Sequence, residues 1–297
     1  FKVMKIFDCF QYFDEDMILD LRLNILDKHV DQFIIVENLF MHSGKKKKKN
    51  FDINKFEKFK DKITYILVDK LPDGLVDVNS FPEKDRPGRR IDNTLKIEHN
   101  QRNKILLGLK EADEDDLILI SDIDEIPNLE SIKSKIKNKI IFFNQTIFYY
   151  KFNLRYSGVP WIGTKATKKI NLISPQWLRD VKDRKYPFWR IDILFDKMKY
   201  SNIQFIENGG WHFTNFRTPK ELELKLNNYG HHVEFQESGL TLNDIEKMIK
   251  ENKVVYDLGV DMRKNKWSGK SQLEKTGIDQ SPEYVQNNYN LYKDWFI

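Results

Sequence analysis

The stretch that most constrains this chain is DDLILISDIDEIP, residues 115–127. Leu117-Ile118-Leu119-Ile120 is a short run of large aliphatics with polar residues on both sides. That is the pattern of a fully buried parallel strand. Asp122 and Asp124 follow where such a strand leaves the sheet. Standing two residues apart, both can turn toward one hard cation. Mg²⁺ and Mn²⁺ prefer oxygen ligands and keep positions open for substrate phosphates. In open α/β sheets ligands bind beyond the carboxyl ends of the strands. The expectation is a metal-bridged, phosphate-bearing substrate at this turn. A polar turn with no ligand is the competing account, and D-x-D alone is compatible with both.

The surrounding pattern supports an α/β fold. Val3–Phe7, Phe33–Val36 and Ile63–Val68 read as strands. Asp14–Leu26 reads as a helix with Met17, Ile18, Leu21 and Ile25 on one face, and Ile97–Leu109 as another with Ile97, Ile105 and Leu109 inward. This alternation predicts a Rossmann-like, mainly parallel, doubly wound sheet flanked by helices. Ile140–Phe143 and Ile147–Phe152 read as strands, a hairpin or meander beyond the parallel part. Residues 157–208, with Gly158, Pro160, Gly163, Pro175 and Pro187, read as irregular acceptor-binding loops, with strands near Lys169–Ile173 and Ile203–Ile206. Thr218-Pro219-Lys220-Glu221 is a capped helix start, and that helix is expected to end at Gly230. A second helix follows Thr241. No repeat or linker interrupts the pattern. One domain is expected over residues 1–297, with 1–127 as the nucleotide-binding half and 128–297 as the acceptor-binding half carrying C-terminal helices.

Charge narrows the function classes. Fifty basic and 45 acidic residues give a net charge of +5, a mixed surface that argues against a dedicated nucleic-acid binder. The run Lys45–Lys49 reads as a solvated, mobile loop; the alternative is an electrostatic lure for anions. Cys9 is the single cysteine, so no intrachain disulfide can form. No apolar stretch has the length of a membrane span and no signal peptide is evident. The expectation is a soluble chain of cytoplasmic rather than secreted type.

Several separated segments, in order, resemble glycosyltransferase family 17, the family of β-1,4-mannosyl-glycoprotein β-1,4-N-acetylglucosaminyltransferase. They are KIFDCFQYFDE (5–15), LRLNILDKHVDQFIIVEN (21–38), HSGK (42–45), QRNKILLGLKEADEDDLILISDIDEIP (101–127), GGWHFTNFRTPKELELKL (209–226) and PEYVQNNYNLY (282–292). SDIDEIP together with GGWHF is far more specific than D-x-D alone. The resemblance implies a GT-A-type fold, a UDP-sugar donor (UDP-GlcNAc), a divalent metal (Mn²⁺ or Mg²⁺), a glycan acceptor and an inverting outcome.

Residue roles follow from chemistry and from the resemblance together. Asp122 and Asp124 would hold a cation that stabilises the departing diphosphate, with His212 as a third ligand. Arg102 and Asn103 would contact the nucleotide. Asp8 and Glu37, taken to lie at the carboxyl edge, would meet ribose or base. Trp211 would stack on a sugar face or sit in the core. Inverting transfer needs a base to take the acceptor proton, for which Glu125, Asp192 and Glu207 are candidates. Asp192 stands among aromatic residues suited to an acceptor site. His231 and His232 are read as favoured by a helix C-terminus or as phosphate binders. Three alternatives remain: a GT-A enzyme using another UDP-sugar, a catalytically silent nucleotide- or glycan-binding protein, and a polybasic interaction protein working through Lys45–Lys49.

Overall fold

A computed structural model describes residues 3–130, 132, 136–187, 189–191, 195–228, 232–259 and 265–297. Among these residues ten strands form one sheet. The first half matches the alternation expected. β1 (Ile6–Tyr12), β2 (Gln32–Asn38), β3 (Ile63–Val68) and β4 (Leu117–Asp122) lie in the order β3-β2-β1-β4, all parallel. α1 (Asp16–Leu26) joins β1 to β2, and α2 (Arg86–Asn103) leads toward β4. Side chains alternate between the two faces. Ile6, Phe10, Phe33, Ile35, Leu117 and Leu119 pack in a core with α1. Phe7, Cys9, Ile34, Val36, Ile118 and Ile120 pack on the other face with Ile105, Leu109 and Trp177. Both faces are covered, which is why these strands read as nearly continuous apolar runs.

The sheet as a whole is mixed, not mainly parallel. β6 (Ile140–Tyr149) and β7 (Leu154–Lys168) are joined by only four residues, and so short a connection can make only a hairpin. Tyr150 takes the turn at φ 65°. β7 then pairs antiparallel with β4. β8 (Ile203–Ile206) and β9 (Gly210–Thr214) each pair parallel with β6. β5 (Glu125–Pro127) follows β4 almost at once, yet pairs with β9 at the far end of the strand order. The sheet therefore curls. β10 (Glu274–Lys275) adds to β7.

Several local expectations shift. The first strand runs to Tyr12 rather than ending at Phe7, so Asp8 lies inside it and not at its carboxyl edge. The first part of the expected loop, residues 157–168, belongs to the long strand Leu154–Lys168, which accommodates Gly158, Pro160 and Gly163 through register shifts against β6. Lys169–Asn171 is a 3-10 turn rather than a strand. It leads into α3 (Pro175–Asp180), capped by Ser174. α4 (Pro219–Asn228) begins with the expected reciprocal Thr218–Glu221 cap, and the expected end at Gly230 lies outside the described residues. α5 (His232–Ser238) and α6 (Leu242–Lys250) follow, the latter with a Thr241–Asp244 capping box. No described helix is long and apolar enough to cross a membrane.

The lysine run is not uniformly solvated. Lys47 is buried in an ion pair with Glu37, and Lys49 lies over the Tyr65 ring. The Glu37 carboxylate also accepts from the backbone N–H groups of Asn50 and Phe51 and from the Tyr65 hydroxyl. One buried carboxylate thus folds the loop back onto the sheet.

Candidate active site

A cleft of about 220 Å³ opens at the carboxyl ends of β1 and β4. Gln11, Tyr12 and Phe13 come from the end of β1, and Asp122, Ile123 and Asp124 from the end of β4. α2 contributes Glu98, Gln101 and Arg102 from its last turns. His42 comes from the loop after β2, Glu15 from the entry to α1 and Lys225 from α4.

The turn carrying Asp122 and Asp124 is held from below by Arg22. This arginine sits on the inward stripe of α1 and is fully buried. Its Nε and Nη2 donate to both carboxylate oxygens of Asp8, at 2.7 and 2.6 Å. Its Nη1 donates to the carbonyls of Asp122, Ile123 and Glu125, at 3.0, 3.0 and 2.9 Å. A planar guanidinium with five donors is suited to such a node. Asp8 is therefore the counter-ion of this clamp, and its oxygens do not face the cleft. Its charge survives in mid-strand only because Arg22 neutralises it.

Two further arginines grip Asp122 from the sides. Arg102 donates to Oδ1 at 3.1 Å and Arg179, on α3, to Oδ2 at 3.2 Å. Burial opposes the charge of Asp122, but Arg179 and Arg102 outweigh it and hold the carboxyl well below the usual range. Glu125 is fully buried. Its oxygens accept from Arg179 and from the Trp161 indole N–H at 3.1 Å, and one also accepts from the backbone N–H of Asp122. Gly163 gives Arg179 its carbonyl at 2.6 Å. Glu125 thus fixes Arg179, and Arg179 fixes Asp122.

Asp124 differs from Asp122. Burial pushes its carboxyl up, only partly offset by His212 and Lys225. His212 Nε2 stands 3.8 Å from Asp124 Oδ1. The ring of His212 stacks on Trp161, centroids 4.7 Å apart. Gly209 and Gly210 bring this strand close to its neighbours: a Cβ on Gly210 would stand 2.1 Å from the Ile126 carbonyl oxygen. The close approach of this glycine pair is to backbone. Among the described residues no group of three or more His, Cys, Asp or Glu side chains stands close enough to hold a metal ion. Asp122 is turned to its arginines, leaving Asp124 and His212 as the approaching pair.

Other expected residues lie elsewhere. Asn103 accepts from the backbone N–H of Gln176 and does not line the cleft. Trp211, one residue from His212, points to the opposite face of β9. There it donates to the Gln280 carbonyl and lines a separate groove with Pro282 and Tyr284. Glu207 lies in the turn after β8, held by Asn144 at 2.8 Å. Asp192 and His231 lie outside the described residues, and His232 is buried on α5. The sequence reading passed over Arg22, His42, Arg179 and Lys225. Only Arg22 carried a local signal, as a lone cation on an apolar helix stripe.

The family model for glycosyltransferase family 17 matches residues 2–162. The chain belongs to glycosyltransferase family 17. It is accordingly a glycosyltransferase, using a sugar donor and a glycan acceptor. No curated protein matches it. The family match takes in the cleft walls from β1, α2 and β4. His212, Arg179 and Lys225 lie beyond it.

Proposed function

We propose that this family 17 chain is a GT-A-type, metal-dependent, inverting transferase that moves GlcNAc from UDP-GlcNAc to a glycan hydroxyl, forming a β-1,4 linkage. The observation that carries the metal-dependent reading is the pairing of the cleft carboxylates. Glu15 is held by Arg217, Glu98 by Arg102, and Asp122 by Arg102 and Arg179, which leaves Asp124 as the lining carboxylate with no arginine partner among the described residues. His42 adds no charge at neutral pH, since burial pushes its imidazole down. An anionic diphosphate entering beside the Asp124 carboxylate needs a divalent cation between the two. Asp124 and His212 fit that ion: their facing atoms are 3.8 Å apart, and Mg²⁺ or Mn²⁺ is held by one or two protein carboxylates with the rest of its shell from phosphates and water. Once bound, it would stabilise charge on the leaving diphosphate.

The remaining residues divide the work. Asp122, locked by Arg102 and Arg179, stays ionised and positions the turn. Trp161, Lys165, Arg179 and Asp183 line a neighbouring groove of about 430 Å³. Its Arg179 bonds Asp122 of the donor cleft, and this groove is the proposed acceptor approach. Glu125, with both oxygens engaged, serves as a positioning residue, and Asp192, which lies outside the described residues, is kept as the proposed base on its sequence context.

The test is UDP release from a panel of UDP-sugars, in Mn²⁺ and in EDTA, without acceptor. Slow metal-dependent release from UDP-GlcNAc alone is expected. Release that ignores EDTA would overturn the metal assignment. Release from UDP-glucose or UDP-galactose instead would overturn the donor. The absence of both release and UDP binding would overturn the cleft as the donor site.

A further inference from the structure

Lys225 is a lysine on the inward side of a helix. It lies three residues from Leu222, which is fully buried, and three from Asn228, also buried. Residues three apart share a helix face, so Lys225 belongs to the stripe that packs inward. Lysine on such a stripe is normally paired. Lys225 instead lines the donor cleft and forms no ion pair with any described residue. Asp14, Glu15 and Asp124 act on it only through space.

The helix is pinned at both ends so that this side chain is aimed. Before its first turn, Arg217 is paired with Asp14 and Glu15, at the entry to α1. At its last residue, the Asn228 carbonyl accepts from the backbone N–H of Ser43, next to His42, at 3.1 Å. Both anchors belong to the walls of the nucleotide half. α4 therefore forms a wall of the cleft that Arg102 also lines. Arg102 has both terminal nitrogens committed to Glu98, Gln176 and Asp122, with only its buried Nε unpartnered, which leaves Lys225 as the lining cation whose charged head is uncommitted among the described residues.

We propose that Lys225 binds the diphosphate of the donor nucleotide and holds it against the metal side of the cleft. This rests on the donor reading above and adds a residue from the C-terminal helices, outside the span the family match covers. An ammonium is a compact charge with three donors, suited to phosphate oxygens that differ in position between the bound donor and the released nucleotide.

The test compares UDP and uridine binding by calorimetry in saturating Mn²⁺, for the parent, Lys225→Gln and Lys225→Arg. Loss of one charge-assisted contact is expected to weaken UDP by about 10- to 100-fold in Lys225→Gln. Uridine, which lacks the phosphates, should bind as to the parent, and Lys225→Arg should recover most of the UDP affinity. Unchanged UDP affinity in Lys225→Gln would overturn the proposal. Equal weakening of UDP and uridine would also overturn it, showing that the residue only shapes the cleft. A parent that binds neither ligand would instead overturn the donor reading on which the proposal rests.

Discussion

Arg22→Met removes the clamp beneath the Asp122–Asp124 turn without emptying its space. Two costs follow. Asp8, fully buried and bonded through both oxygens to Arg22, is left as an unpaired charge. Breaking a buried pair from one side costs about 3–5 kcal/mol. The carbonyls of Asp122, Ile123 and Glu125 also lose their shared donor, adding about 1–2 kcal/mol between them. A total near 5 kcal/mol is comparable with the whole stability of many domains. It corresponds to a melting-point loss of roughly 10 °C for a chain of this size. Urea unfolding followed by tryptophan fluorescence gives the free energy directly. The double variant Asp8→Leu/Arg22→Met removes both charges and should recover about 3 kcal/mol, because the recovery measures the stranded carboxylate. The remaining deficit belongs to the carbonyls. An Arg22→Met protein within about 1 kcal/mol of the parent would refute the clamp. A double variant no more stable than the single would refute the assignment of the cost to Asp8.

Three more outcomes are expected. Gly210→Ala places a methyl 2.1 Å from the Ile126 carbonyl oxygen at φ +127°, where only backbone movement relieves it; roughly 2–4 kcal/mol should be lost, visible as a lower urea midpoint. Glu125→Gln keeps the shape but removes the charge facing Arg179, so stability should fall by about 3 kcal/mol while the pH–rate profile keeps its limb for the general base; loss of that limb would make Glu125 the base. Burial pushes His42 below its usual 6.5, so its stabilising contribution is present above that pH and is lost as pH falls through the lowered value. Unfolding curves from pH 7.5 to 5 should therefore show less acid sensitivity in His42→Gln than in the parent, and parallel curves would contradict the assignment.

Much of the fold was legible in the chain because its signals are local. The run 117–120, the aliphatics of β2 and β3 and the Thr218 and Thr241 caps are each set by neighbours within a few residues. The Asp122-Ile123-Asp124 turn at the carboxyl edge of β4 was legible for the same reason. Charged residues inside elements were not. Asp8 made β1 look shorter than it is, because a carboxylate in a strand reads as exposed until its partner is known, and Arg22 lies 14 residues away. β7 was equally hidden, since Gly158, Pro160 and Gly163 read as loop and the strand is made by long-range pairing with β4 and β6. Only the tertiary structure brought Arg179 onto Asp122, turned Trp211 away from the cleft and set Lys225 in its wall. Periodicity thus established which residues go inside; long-range ion pairing and strand pairing decided which of the charged ones form the site.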